Sequence, residues 1–127
     1  MNGRVEEEFQ LLHQRFPTAE RHGLWFRINT YPLTPDLWGI DQVSIAFSIP
    51  DSYPGQKPYA FYVSPPLELP GGAFPGSSGA ASEPPFPGTW HKFSWDQPEW
   101  AATSNVHGGS NLLTWALSFK DRLDDHT

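Results

Sequence analysis

The first apolar residues of the chain recur with the period of a helix. They are Val5, Phe9, Leu12 and Phe16, and Pro17 follows directly after them. A repeat of 3.6 residues places these four positions on one side of a helix, so residues 4–16 are predicted to form an amphipathic helix that ends at the proline. The acidic run 6–8 is expected to complement the positive end of the helix dipole, with a docking patch as the alternative.

Three segments between residues 24 and 63 have the pattern of β-strands. Residues 24–31 are rich in aromatic and β-branched side chains, residues 42–49 alternate between large apolar and small or polar side chains, and residues 59–63 alternate again. Turn-forming residues separate these segments. We therefore predict an antiparallel meander of three to four strands.

The C-terminal half begins with a stretch rich in proline and glycine, residues 64–88, and ends with a second helical repeat over residues 111–123. The first stretch is expected to be a long irregular loop. The helix is expected to begin at an N-cap formed by Ser110 or Asn111. The predicted order is helix, strands, loop and helix, which makes the fold class α+β.

Length and composition narrow the possible functions. A chain of 127 residues corresponds to one domain, with an expected ordered core of about residues 4–123. The net charge of −6 argues against binding to nucleic acid, which requires clustered basic residues. The chain contains no cysteine, which excludes disulfides and thiolate catalysis. No apolar run resembles a signal peptide or a membrane span, so we expect a soluble, cytoplasmic protein that does not act at a membrane.

The segment 90–100 combines packing residues with reactive ones. Three of the six tryptophans lie in it, interleaved with a histidine, a lysine, a serine and an aspartate. Aromatic anchors can hold a loop rigidly, and these polar groups can donate, accept or attack. We therefore expect any functional site to lie in this segment.

The segment 49–61 resembles part of the ubiquitin-conjugating enzyme (UBC) superfamily. Members carry a Pro-x-x-Tyr-Pro-x-x-x-Pro motif, which is matched here by Pro50, Tyr53, Pro54 and Pro58. Trp100, followed about ten residues later by an amphipathic helix, is similar to a second feature of the superfamily. The resemblance covers roughly residues 4–123 and implies a UBC-like fold.

Within that superfamily, the short chain without cysteine looks like the bacterial branch called prokaryotic family E of UBC-like proteins. That resemblance implies a ubiquitin-like protein and an activating-enzyme-like protein as partners, and the operons of such families suggest antiviral defence. Two features differ from the family pattern. The sequence has no His-Pro-Asn tripeptide, and it has no cysteine to carry a ubiquitin-like protein as a thioester.

The resemblance places the position of the missing cysteine near residues 92–94, where Ser94 is the one nucleophile. A serine hydroxyl is a weak nucleophile near neutral pH and needs a base or an oxyanion-stabilising site. His91, Asp96 and His107 are the candidate bases or orienting groups. If residues 91–95 are extended, His91 and Ser94 lie on opposite faces, so their pairing would require a loop or a bulge.

Three functions follow as hypotheses. The first is a transferase that receives a ubiquitin-like protein, carries it on Ser94 as an oxyester and passes it to an amine. The second is a catalytically inactive UBC-like scaffold for the same partners. The third is an unrelated module that binds a peptide or saccharide through Trp38, Trp90 and Trp95.

The remaining candidates for chemistry are few. Four tryptophans are expected in the core, namely Trp25, Trp90, Trp100 and Trp115. The five histidines show no metal-ligand spacing, so neither a metal nor another cofactor is expected.

Overall fold

The structure is a computed structural model that describes residues 3–33, 41–53, 55–64, 78–82, 84–95, 100–101, 103 and 109–124. Trp38, Asp96 and His107 lie outside these described residues, as does most of the segment 64–88. No helix in the part of the chain that is described has the length and apolar character needed to cross a bilayer.

Within the described residues, two helices and six antiparallel strands form an α+β fold. The elements are α1 (Gly3–Arg15), β1 (Ala19–His22), β2 (Trp25–Pro32), β3 (Gln42–Ser48), β4 (Phe61–Ser64), β5 (Ser78–Ala81), β6 (Trp90–Phe93) and α2 (Leu112–Asp124). Strands β1 to β4 form a meander in chain order, and the complete sheet has the order β1-β2-β3-β4-β6-β5. Strand β6 therefore lies between β4 and the edge strand β5.

The two helices and the three segments with strand patterns are confirmed within a few residues. The meander β1 to β4 has four strands, within the predicted three to four, but the sheet also contains β5 and β6, and β1, β5 and β6 were not among the predicted segments. The prediction of irregular structure across 64–88 was wrong for residues 78–81, which pair with β6. Strand β1 has the sequence Ala-Glu-Arg-His, and β5 has Ser-Gly-Ala-Ala. Neither shows an apolar alternation, so the pairing partner rather than local propensity specifies these strands.

The two faces of the sheet carry different apolar clusters. On the core face, residues such as Phe26, Ile45 and Phe61 pack against both helices. On the outer face, a smaller cluster contains Ala46, Tyr62, Phe86 and Trp90, with Trp25 packed against it. The helices therefore cover one face, and the 84–90 segment covers part of the other.

Asn111, one of the two residues predicted to cap the second helix, is the N-cap of α2. Its side-chain oxygen accepts a hydrogen bond of 2.9 Å from the backbone N–H of Thr114. The Thr114 hydroxyl in turn accepts from the Asn111 N–H at 2.9 Å. This reciprocal pair satisfies two backbone groups that would otherwise lack partners at the start of the helix.

Glu8 does not belong to a surface docking patch, which was the alternative interpretation of the acidic run 6–8. Its side chain is fully buried, whereas Glu6 and Glu7 are exposed. One carboxylate oxygen accepts hydrogen bonds from the Tyr53 hydroxyl and from the backbone N–H of Leu112, the latter at 2.7 Å. The other accepts from Arg4 Nε at 2.5 Å. A single carboxylate therefore joins α1, the start of α2 and the 50–58 connection between β3 and β4.

Candidate functional site

The segment 90–100 begins with strand β6, whose side chains alternate between the two faces of the sheet. Phe93 belongs to the core cluster, and Trp90 belongs to the outer cluster. In register, His91 lies opposite Val63 of the core cluster and Lys92 opposite Tyr62 of the outer cluster. His91 and Phe93 therefore occupy the core face, and Trp90 and Lys92 occupy the outer face.

Ser94 directly follows β6 and is exposed to solvent. Both of its neighbours pack against the core cluster, because Phe93 is fully buried and Trp95 is partly buried there. The Trp95 indole N–H also donates a hydrogen bond of 3.0 Å to the Ser118 hydroxyl on α2. Because both neighbours pack against the core cluster, we expect the exposed Ser94 side chain on the side of the sheet that carries Lys92.

A backbone hydrogen bond fixes the end of β6 beside the start of β4. The Ala60 N–H donates to the Trp95 carbonyl at 2.6 Å. This bond is displaced by one residue from the register of the pair Phe61 and Phe93, as in a β-bulge. Bulges redirect side chains where regular pairing ends. This irregularity lies at Ser94.

Ala60 has an unusual backbone conformation at this junction. Its φ angle is +69°, and it is the one described residue other than glycine with a positive φ. It is also buried. Left-handed conformations cost a residue with a Cβ atom about 1–2 kcal/mol, so the surrounding contacts must hold Ala60 in place.

The structure does not bring His91 to Ser94. The histidine is buried on the core face, where its ring contacts that of Phe93 at a centroid distance of 5.8 Å. Burial lowers the pKa of His91, because desolvation disfavours the charged imidazolium. The bulge lies after Phe93, so it does not change the face on which His91 lies. The other two candidates, Asp96 and His107, are outside the described residues.

Lys92 is a neighbour of Ser94 that the sequence interpretation did not select. Its ammonium nitrogen lies 5.9 Å from the ring centroids of both Tyr59 and Tyr62. No ion pair joins it to a carboxylate within the described residues. Lys92 precedes Ser94 by two residues, the spacing of positions that share a face along an extended strand, and this signal was available in the sequence.

An open cleft of about 210 Å³ lies next to this position. It is lined by Ser48, Ile49, Pro50, Gln56, Lys57 and Tyr59. Tyr59 is therefore shared between the cleft and the surroundings of Lys92. More than half of its surface is exposed, at 58%.

The tryptophans are mainly structural. Trp90 and Trp115 are buried as predicted, and the Trp90 indole N–H donates a hydrogen bond of 3.0 Å to the Phe86 carbonyl. Trp25 and Trp100 are partly buried against the outer and core clusters, respectively. Trp90 is buried and Trp95 packs against the core cluster, so these two residues do not form an exposed groove together, and Trp38 lies outside the described residues.

Two of the residues that carry the family resemblance contact each other in the fold. The ring of Tyr53, from the proline-rich motif, lies 5.8 Å from that of Trp100.

Comparisons with models of protein families, with curated proteins and with solved structures gave no significant match. Among the described residues, no group of three or more histidines and carboxylates is placed to bind a metal ion.

Proposed function

We propose that this protein is a UBC-like transferase that carries a ubiquitin-like protein on Ser94 as an oxyester. An activating-enzyme-like protein would supply the ubiquitin-like protein, and an amine would receive it. The observation that carries the proposal is the exposure of Ser94 directly after β6. The contact of Tyr53 with Trp100 brings the 50–58 connection and the 90–100 segment together.

The arrangement of elements supports the same proposal. The proline-rich motif connects β3 with β4, the last two strands of a four-stranded meander that follows an N-terminal helix. Its Tyr53 is buried and donates a hydrogen bond to Glu8 on α1. This bond holds the connection against the helix, so the motif has a defined place next to the strand that leads to Ser94.

The chemistry consists of two acyl transfers. The Ser94 oxygen attacks the carbonyl carbon of a ubiquitin-like C-terminus held as a thioester on the activating protein. The carbon–sulfur bond breaks, and the hydroxyl proton goes to the departing thiolate. An acceptor amine then attacks the oxyester, its carbon–oxygen bond breaks, and the Ser94 hydroxyl is restored while an amide forms.

Reconstitution tests the proposal. The protein is incubated with ATP and with a ubiquitin-like protein and an activating enzyme encoded by neighbouring genes, and intact masses are recorded with and without hydroxylamine. We expect an adduct that hydroxylamine removes, because it cleaves esters and leaves amides intact. The adduct should be absent in Ser94→Ala and unchanged in Ser52→Ala, a control at another exposed serine. An adduct that persists in Ser94→Ala contradicts the proposal.

A second function, that of a scaffold, is favoured by the position of His91. This histidine lies on the core face, so it supplies no base to Ser94. A UBC-like protein without a base would bind the ubiquitin-like or activating protein without forming a bond to it. In the same reconstitution, complex formation without any adduct supports the scaffold and opposes the transferase.

A further inference from the structure

We propose that Lys92 stabilises negative charge on the oxygen of Ser94 and on the oxyanion formed when this oxygen attacks a carbonyl. Lys92 and Ser94 together would make an anion-stabilising site on the outer face of the sheet. The biological use of this site rests on the proposed transferase function. The electrostatic effect itself is a property of the folded chain and can be measured without any partner.

The position of the Lys92 ammonium group is the first argument. Lys92 is partly buried, and its nitrogen is 5.9 Å from the centroids of both tyrosine rings. A cation near the electron-rich face of an aromatic ring is attracted to it, so Tyr59 and Tyr62 restrict where the flexible lysine side chain can go. The charge is thus held at the surface of the sheet.

The position of Ser94 on the same face is the second argument. Successive residues of an extended strand advance by about 3.3 Å, so Cα atoms two residues apart are separated by roughly 6.6 Å. Phe93 and Trp95 pack on the core face on either side of Ser94. The hydroxyl therefore points to the outer face, within the range over which a lysine ammonium affects a developing negative charge.

The absence of an ion pair to Lys92 among the described residues is the third argument. The ion pairs of the described residues involve Arg4, Arg21 and Arg27, and none involves Lys92. Among the described residues, the contacts of Lys92 are with neutral phenol rings, which do not compensate its positive charge. Such a positive charge stabilises an anion beside it. A serine nucleophile needs this stabilisation because negative charge develops when it attacks a carbonyl.

Lys92 does not act as the base in this scheme. As an ammonium group it has no lone pair to accept the hydroxyl proton, which goes to the departing thiolate as described above. Its positive charge lowers the energy of the negative charge on the Ser94 oxygen before the carbon–oxygen bond forms, and of the oxyanion on the attacked carbonyl afterwards. Lys92 therefore takes part of the role that an oxyanion site has in other acyl transfers.

A single introduced cysteine gives a direct measurement. The chain has no cysteine, so Ser94→Cys places one thiol at this position. Its rate of alkylation by iodoacetamide, a neutral reagent, is followed across pH 6–10 to obtain the thiol pKa. We expect a pKa below the ordinary value of about 8.5, because a neighbouring lysine stabilises the thiolate.

Three second substitutions in the Ser94→Cys protein assign the effect. Lys92→Gln should raise the thiol pKa by roughly half a unit or more, and Lys92→Arg should keep it low. Lys57→Gln, at a lysine that lines the cleft but is not on β6, should change it much less. Equal thiol pKa values in the single variant and in its Lys92→Gln derivative would overturn the proposal.

The result is separable from the transferase assay. A thiol pKa that depends on Lys92 establishes the anion-stabilising site even when reconstitution yields no adduct on Ser94. A Ser94 adduct that forms at the same rate in Lys92→Gln as in the native protein overturns the role of Lys92 and leaves the transferase function standing. Thermal unfolding of each variant verifies that the fold is retained.

Discussion

Replacement of Glu8 by alanine is the most informative test of how the fold holds the proline-rich connection. Glu8 is fully buried, and one of its oxygens accepts from both the Tyr53 hydroxyl and the Leu112 N–H. The substitution leaves these two buried donors without an acceptor and also removes the ion pair with the partly exposed Arg4. Each unsatisfied buried donor costs about 1–3 kcal/mol, so the free energy of unfolding should fall by about 2–6 kcal/mol.

That loss is large relative to the total stability of a small domain, which is about 5–15 kcal/mol. Glu8→Gln should cost less than Glu8→Ala, because the amide oxygen can still accept these bonds while the charge is lost. Glu7→Ala serves as the matched control, since Glu7 is the exposed neighbour on the same helix. Surface substitutions of this kind usually change stability by less than about 0.5 kcal/mol.

Urea unfolding followed by tryptophan fluorescence measures these differences, since the chain contains six tryptophans. The transition midpoint of Glu8→Ala should lie well below that of Glu7→Ala, with Glu8→Gln between them. A loss of less than about 1 kcal/mol in Glu8→Ala would refute the role of Glu8 as the joint between α1, α2 and the connection.

Three further predictions concern titration and backbone strain. Burial lowers the pKa of His91, so the unfolded chain binds a proton at this histidine more readily than the folded chain does. The free energy of unfolding should therefore fall as the pH decreases below about 6.5, and it should fall less in His91→Leu. Burial and the hydrogen bond to Glu8 raise the pKa of Tyr53, so stability should decline above about pH 10, and less so in Tyr53→Phe. Ala60→Gly should be tolerated, because relief of about 1–2 kcal/mol of strain offsets the loss of one buried methyl, whereas Ala60→Val should be clearly destabilising. Parallel pH curves for each native and variant pair, or equal stability of the two Ala60 variants, would count against these explanations.

The parts of the fold that the sequence predicted are those with a strong local pattern. The helical spacing of Leu12 and Phe16, and the alternation through Ile45 and Phe47, each reflect one buried face of one element. Strands β1, β5 and β6 lack such a pattern or are too short to show it. Their pairing depends on residues distant in the chain, which local periodicity does not report.

The candidate site was predictable in part for the same reason. Alternation along residues 91–95 predicts that His91 and Ser94 lie on opposite faces, and the structure has His91 on the core face. The same alternation predicts that Lys92 shares the face of the serine. The bulge at Ala60 and its left-handed backbone were not predictable, because they arise where β4 meets β6. The burial of Glu8 was hidden for a related reason: its partners, Tyr53 and Leu112, are 45 and 104 residues away in the chain.

Mapping the attachment site most directly tests whether Ser94 is the carrier. After reconstitution, the protein is digested at low pH, where esters survive, and the modified peptide is sequenced by tandem mass spectrometry. We predict that the C-terminal residues of the ubiquitin-like protein are found on Ser94 through an ester bond. Attachment to a lysine through an amide, or a 90–100 peptide that is never modified while the partners bind, would contradict the account.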